Sequence, residues 1–181
     1  MTSASISSPN PIARKAWFTR TFAFDLEPWM MPNVIERLRG THARLAERLE
    51  AVPGDVLKQA PAPGKWSIQE NVGHLLDLET LWMARVHETL AGAKDLTAAD
   101  VTNEKTYEAR HGEHDFRGIL AAFRAERGRY VAALERLDAS QVALIGLHPR
   151  LKVPMRIIDQ AFFVAEHDDH HLAGIREMLA S

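Results

Sequence analysis

The sequence predicts an all-α protein, a four-helix bundle with uneven connections. Apolar residues recur with a 3.6-residue period through four long segments. No segment shows a convincing period of two, and Pro/Gly or polar stretches separate the periodic runs. Helices with one apolar face must bury it against one another, and four around a shared core is the simplest solution.

The first long helix is expected from about Pro32 to Ala51, through "VIERLRGTHARLAERLEAV", and "PGD" closes it. The second begins after the turn "APAPGKW". There Ser67 and Glu70 in "SIQE" form a capping box, and Ile68, Val72, Leu75, Leu76, Trp82, Met83, Val86 and Leu90 supply the apolar stripe. About twenty polar residues follow "AGAKD", a connection long enough to be functional or a crossover. The third helix is expected from roughly His114 to Leu137. After it, "DASQVALIGLHPRLKV" holds a short apolar run that suits a small hairpin. Pro154 suits the first position of the fourth helix, which runs nearly to the end.

The expected organisation is a flexible tail over 1–16 and one helical domain over 17–181. The first residues are Ser-rich with no acid before Asp25, which overlaps with transit peptides but lacks the apolar run of a secretory signal. A net charge of -2 argues against a nucleic-acid surface or polybasic membrane contact. No apolar run approaches the roughly 18 residues of a membrane helix. The absence of cysteine excludes disulfides, thiolate metal sites and a cysteine nucleophile, and fits a cytoplasmic location.

The chemistry concentrates in "AEHDDHHLAGI". On a helical wheel His167 and His171 are an i, i+4 pair on one edge of the apolar stripe, able to offer two imidazoles to one metal. His170 and Asp169 point away. Asp168 falls inside the stripe, where a lone carboxylate needs a partner. A third histidine, His74, sits within the second helix on a column with Asn71, Leu78, Leu81 and Arg85, and Glu79 is another inward carboxylate. Asp77 and Glu70 are expected on the surface and at the cap. His111 and His114 are expected to be solvated in the long connection, and His148, His42 and His87 have no assigned role. A ferritin-like di-iron site needs Glu-x-x-His on two helices. The one instance here, Glu108 to His111, lies beside a Gly in the connection, so that site is excluded. The H-E-x-x-H signature, a phosphate loop and a G-x-S-x-G elbow are absent.

"GKWSIQENVGHLLDLETLW", followed about ninety residues later by "AEHDDHHLAGI", resembles the DinB/YfiT-like superfamily of four-helix bundles, as does the lead-in "WFTRTFAFDLEPWMMPNVIERLRGTHARL". The resemblance covers the chain from about Trp17. It implies one divalent metal, zinc or nickel, held by His74, His167 and His171, and a homodimer. It also implies small-molecule chemistry, either transfer of an external low-molecular-weight thiol or hydrolysis. Three neutral imidazoles leave a coordination position open, the catalytic arrangement of zinc. Asp168 and Glu79 are the expected catalytic or orienting carboxylates, accepting an imidazole N–H or a proton. The alternative for both is an ion pair with an inward arginine such as Arg85 or Arg156. The alternative for the protein is a non-enzymatic dimer with a structural or incidental metal, acting in binding or the stress response.

Overall fold

The computed structural model describes residues 12–180. The expected tail therefore lies outside the described residues as far as Pro11. From Ile12 to Ala16 the chain is irregular, and Arg14 reaches Glu177 at 3.2 Å and His170 at 3.1 Å.

The elements in order are α1 (Met31–Leu49), α2 (Gly54–Lys58), α3 (Ile68–Leu90), α4 (Glu104–Glu108), α5 (Phe116–Leu134), α6 (Ala139–Val142), β1 (Ile145–Leu147), β2 (Pro154–Arg156) and α7 (Ile157–Leu179). The four long helices form the bundle, in the order α1, α7, α3, α5 around its circumference. Ser67 caps α3 through the expected box with Glu70. Asp115 caps α5 by accepting from the Gly118 N–H at 2.8 Å.

The hairpin exists: β1 and β2 pair antiparallel, with Leu147 opposite Pro154. That corrects the start of the last helix. Pro154 opens a strand, where a two-stranded sheet needs no donor from it. Helix α7 begins three residues later, where Asp159 accepts from both the backbone N–H (2.9 Å) and the side chain (2.8 Å) of Arg156.

The core divides into two apolar clusters. One holds Leu38, Trp82, Tyr130 and Val164, and the other holds Leu45, Leu75, Phe123 and Leu172. Between them each long helix contributes one buried polar residue: Thr41, Glu79, Arg127 and Asp168. This layer crosses the bundle at the level of the three histidines on α3 and α7. Among the described residues no helix is long and apolar enough to cross a membrane.

Candidate metal centre

The antiparallel packing of α3 on α7 brings His74, His167 and His171 together, with one nitrogen from each lying within 4.8 Å of the others. His74 and His167 are buried and His171 is half-buried. The His167 and His171 Nε2 atoms are 3.2 Å apart. Two nitrogens sharing a tetrahedral zinc at about 2.0–2.1 Å would stand roughly 3.3 Å from each other.

Hydrogen bonds settle which nitrogens face inward. Asn71 Nδ2 donates to the Ser67 (2.8 Å) and Trp66 (3.3 Å) carbonyls, so its Oδ1 is left to accept from His171 Nδ1 at 2.8 Å. The proton of His171 therefore sits on Nδ1 and its lone pair on Nε2. His74 Nδ1 lies 3.1 Å from Thr106 Oγ1, so this ring too turns Nε2 toward the cluster. His167 Nδ1 is buried without a partner. With Nδ1 unpartnered, His167 can donate its Nε2 proton to His171 Nε2 or, with the proton on Nδ1, turn its Nε2 lone pair to an ion shared with His171.

Burial is the main reason the three imidazoles resist protonation. It lowers His74 to about 4, and it lowers His167 and His171 well below the usual value, with neighbouring histidines adding to the effect. Neutral imidazoles are the form that binds metal. The donor set thus fits a borderline divalent ion such as zinc or nickel.

Asp168 and Glu79 do not serve these histidines. Both are buried on Arg127, with Glu79 Oε1 2.5 Å from Nη2 and Asp168 Oδ1 3.1 Å from Nη2, and Thr41 donates to Asp168 at 2.7 Å. Arg127, on α5, completes a buried ion cluster, because a guanidinium offers a buried carboxylate both charge and paired donors. The wheel of one helix cannot show a partner on another. Neither suggested arginine fills that role: Arg156 pairs with Asp159, and Arg85 has no carboxylate partner among the described residues.

The carboxylate that does reach a histidine is Asp77, expected on the surface but buried to 9% exposure. It links through Thr106 to His74, and its Oδ2 lies 2.9 Å from His111 Nε2. Burial pushes the Asp77 carboxyl up, but His111, Thr106 and Lys105 together hold it below its usual range. His111 is buried rather than solvated. Gln69 holds its carbonyl, and Gly73 leaves room for its ring. His170 is half-buried against Arg14 and Trp17 rather than free in solvent. The signals for these roles were thin. Asn71 shares a helix face with His74, but Thr106 sits in a polar connection with no periodicity to place it.

A Cβ at Gly73 would come 2.2 Å from the His111 ring. Gly73→Ala gains about 0.5–1 kcal/mol of helix propensity, but displacing the ring costs about 1–3 kcal/mol and breaks its bond to Asp77. The expected result in urea unfolding is a net loss of stability. A variant as stable as wild type would show that the ring yields freely.

The three histidines open on a cavity of about 530 Å³ walled by Trp17, Trp66, Trp82 and Phe163. A second, of about 520 Å³, adjoins it and also reaches His171. Among the described residues no fourth protein ligand completes the cluster.

No curated protein matches the sequence. Solved structures share the fold, two of them enzymes or probable enzymes by their descriptions. YfiT from Bacillus subtilis, a probable metal-dependent hydrolase with an unusual four-helix bundle topology, superposes with a TM-score of 0.77 at 22% identity, over 89% of this chain and 92% of that one. The mycothiol-dependent maleylpyruvate isomerase superposes with a TM-score of 0.66 at 10% identity, over 86% of this chain and 63% of that one. The family model of the DinB superfamily matches residues 37–175, a span running from α1 through the three histidines. With that match, and with the bundle it implies, the chain belongs to the DinB superfamily.

Proposed function

We propose that the protein is a metal-dependent enzyme acting on a small molecule, with His74, His167 and His171 holding one divalent ion, zinc or nickel. The observation that carries this reading is the open side of the cluster: three converging donors, no fourth protein ligand among the described residues, and a cavity of ligand size at the gap. A structural metal would call for a closed shell. A bound ion would supply Lewis acidity, acidifying a water or an external thiol that reaches it.

The chain supplies the rest. Asn71 and Thr106 hold the His171 and His74 rings in the orientation that presents Nε2 to the site. Trp17, Trp66 and Trp82 wall the cavity with apolar surface. Hydrolysis and thiol transfer use the same centre, and with no cysteine in the chain the thiol must come from outside.

The test is metal content by plasma mass spectrometry, on protein purified without a His-tag. Wild type is expected to carry about one metal per chain. The His74→Ala/His171→Ala variant should lose it while keeping its helical circular dichroism. Wild-type protein that stays metal-free after incubation with zinc or nickel would overturn the reading.

A further inference from the structure

Arg150, which lines the same cavity, and Arg85 behind it carry positive charge that no salt bridge to a described residue balances. Arg85, on α3, is 3% exposed. Its Nε donates to the Thr97 carbonyl at 2.9 Å, while its Nη2 is buried with no partner. Arg150, in the turn between β1 and β2, has a buried Nη2 that is equally unpartnered, and its guanidinium lies over Phe18 and Phe163. Neither has a salt bridge to a described residue. Arg127, buried as deeply as Arg85, has two carboxylates. A buried guanidinium without an anion is the anomaly, since desolvation goes unrepaid.

His148 lies between the two arginines and sharpens the deficit. Its Nδ1 takes the N–H groups of Arg150 (3.3 Å) and Leu151 (3.2 Å), while its Nε2 faces Arg85 Nη1 at 3.3 Å. A neutral ring carries one proton. If that proton is on Nε2 it meets another donor, and if it is on Nδ1 the two amides lose their acceptor. Either way an acceptor is missing. Burial and the two arginines hold His148 neutral, lowering it to about 4, and burial lowers Arg85 to about 10.

Arg150 and His148 line the cavity that the three histidines line. Phe163 lies between, touching the His148 ring at 5.1 Å, and Trp17 spans Phe163 and His167 at 5.0 Å from each. Phe163 precedes His167 by one helical turn, about 6 Å along α7. Lys65, also in the lining, adds positive charge, while Arg14 is paired with Glu177. Asp100, the acid among the lining residues, is engaged by the Thr102 and Glu104 amides of its own loop.

We propose that Arg150, backed by Arg85 and His148, is an anion subsite, and that the substrate is a small molecule with an apolar or aromatic body and a carboxylate or phosphate. The anion sits at Arg150, the body lies against Phe163 and Trp17, and the reacting group points along these rings toward the three histidines. The subsite itself stands on the unpaired arginines, and its use by a substrate rests on the enzymatic reading above.

The test is a tryptophan-fluorescence titration at constant ionic strength with benzoate, inorganic phosphate and the neutral benzyl alcohol. It is run on the full chain, zinc-loaded and chelator-stripped, as wild type and Arg150→Met. At least one anion is expected to bind stripped wild-type protein saturably, at least tenfold tighter than benzyl alcohol and tenfold tighter than it binds Arg150→Met. The preferred anion identifies the class. Equal binding by variant and wild type, absence of anion binding, or anion binding that needs zinc and ignores Arg150 would each overturn the subsite. The last of these would leave the metal reading intact. Arg150-dependent binding in a protein that never takes up metal would keep the subsite and sink the enzyme. Arg150→Gln serves if Arg150→Met does not fold.

Discussion

Arg127→Met is expected to lower stability by about 3–5 kcal/mol, a fall of roughly 6–20 °C in melting temperature for a chain of this length. The substitution keeps an apolar stem as far as the Nε position and removes only the outer guanidinium atoms, so packing along the stem is retained. What remains is the damage: Glu79 and Asp168, with side chains at most 1% exposed, keep their charge or take up protons without a partner. Burial already raises Glu79 to about 7, against the pull of Arg127. Removing that pull drives it further. The contrast is the triple variant Arg127→Met/Glu79→Leu/Asp168→Leu, which removes all three charges together. Its stability should lie within about 2 kcal/mol of wild type, because apolar replacement of a whole buried cluster is often neutral or favourable. The triple variant should also keep its metal, since neither carboxylate hydrogen-bonds an imidazole in the cluster. Urea melts and metal content read both outcomes. A single variant losing less than about 1 kcal/mol would mean the cluster is already hydrated.

Acid should unfold the metal-free protein between pH 6.5 and 4. Six histidines are depressed from the ordinary value of 6.5: His74, His148 and His170 to about 4, His167 and His171 well below the usual value, and His42 as well. A histidine depressed in the folded state binds its proton more readily when unfolded. Its stabilising contribution is present above pH 6.5 and lost as pH falls through the folded value. For buried His74 alone the loss approaches ~3 kcal/mol. Glu79 works the other way: raised from 4.5 to about 7, it stabilises fully below pH 4.5 and loses that contribution as pH rises through 7. One carboxyl against several imidazoles leaves acid destabilisation as the net effect. Melting temperatures of chelator-treated protein from pH 7.5 to 4 should fall steeply below 6.5. Added zinc should move the fall to lower pH, because the bound ion competes with protons and stabilises only the folded chain. A profile that is flat or rises toward pH 5 would contradict the neutral burial of these rings.

Local rules recovered what depends on one helix at a time. The four long helices, the Ser67–Glu70 box and the pairing of His167 with His171 all follow from periodicity and capping within a single segment. The wheel also picked Asp168 and Glu79 as inward, and both are buried. Their meaning was out of reach, because it belongs to Arg127, 48 residues from Glu79 and 41 from Asp168. The same holds for Asp77. Its position on α3 looks outward until the connection from α3 to α5 folds over it and brings Thr106 and His111.

Alone, then, the sequence determined the helical bundle, the three histidines and the two inward carboxylates. Hydrophobic period and capping act over three or four residues, and a helix carries its side chains at fixed angles. Only the tertiary structure decided which buried charges neutralise one another, which nitrogen of each ring faces the site, and that Arg85 and Arg150 have no salt bridge among the described residues. Satisfying a buried polar group is a matter of distance in space, over a few ångströms, between residues that chain order leaves far apart.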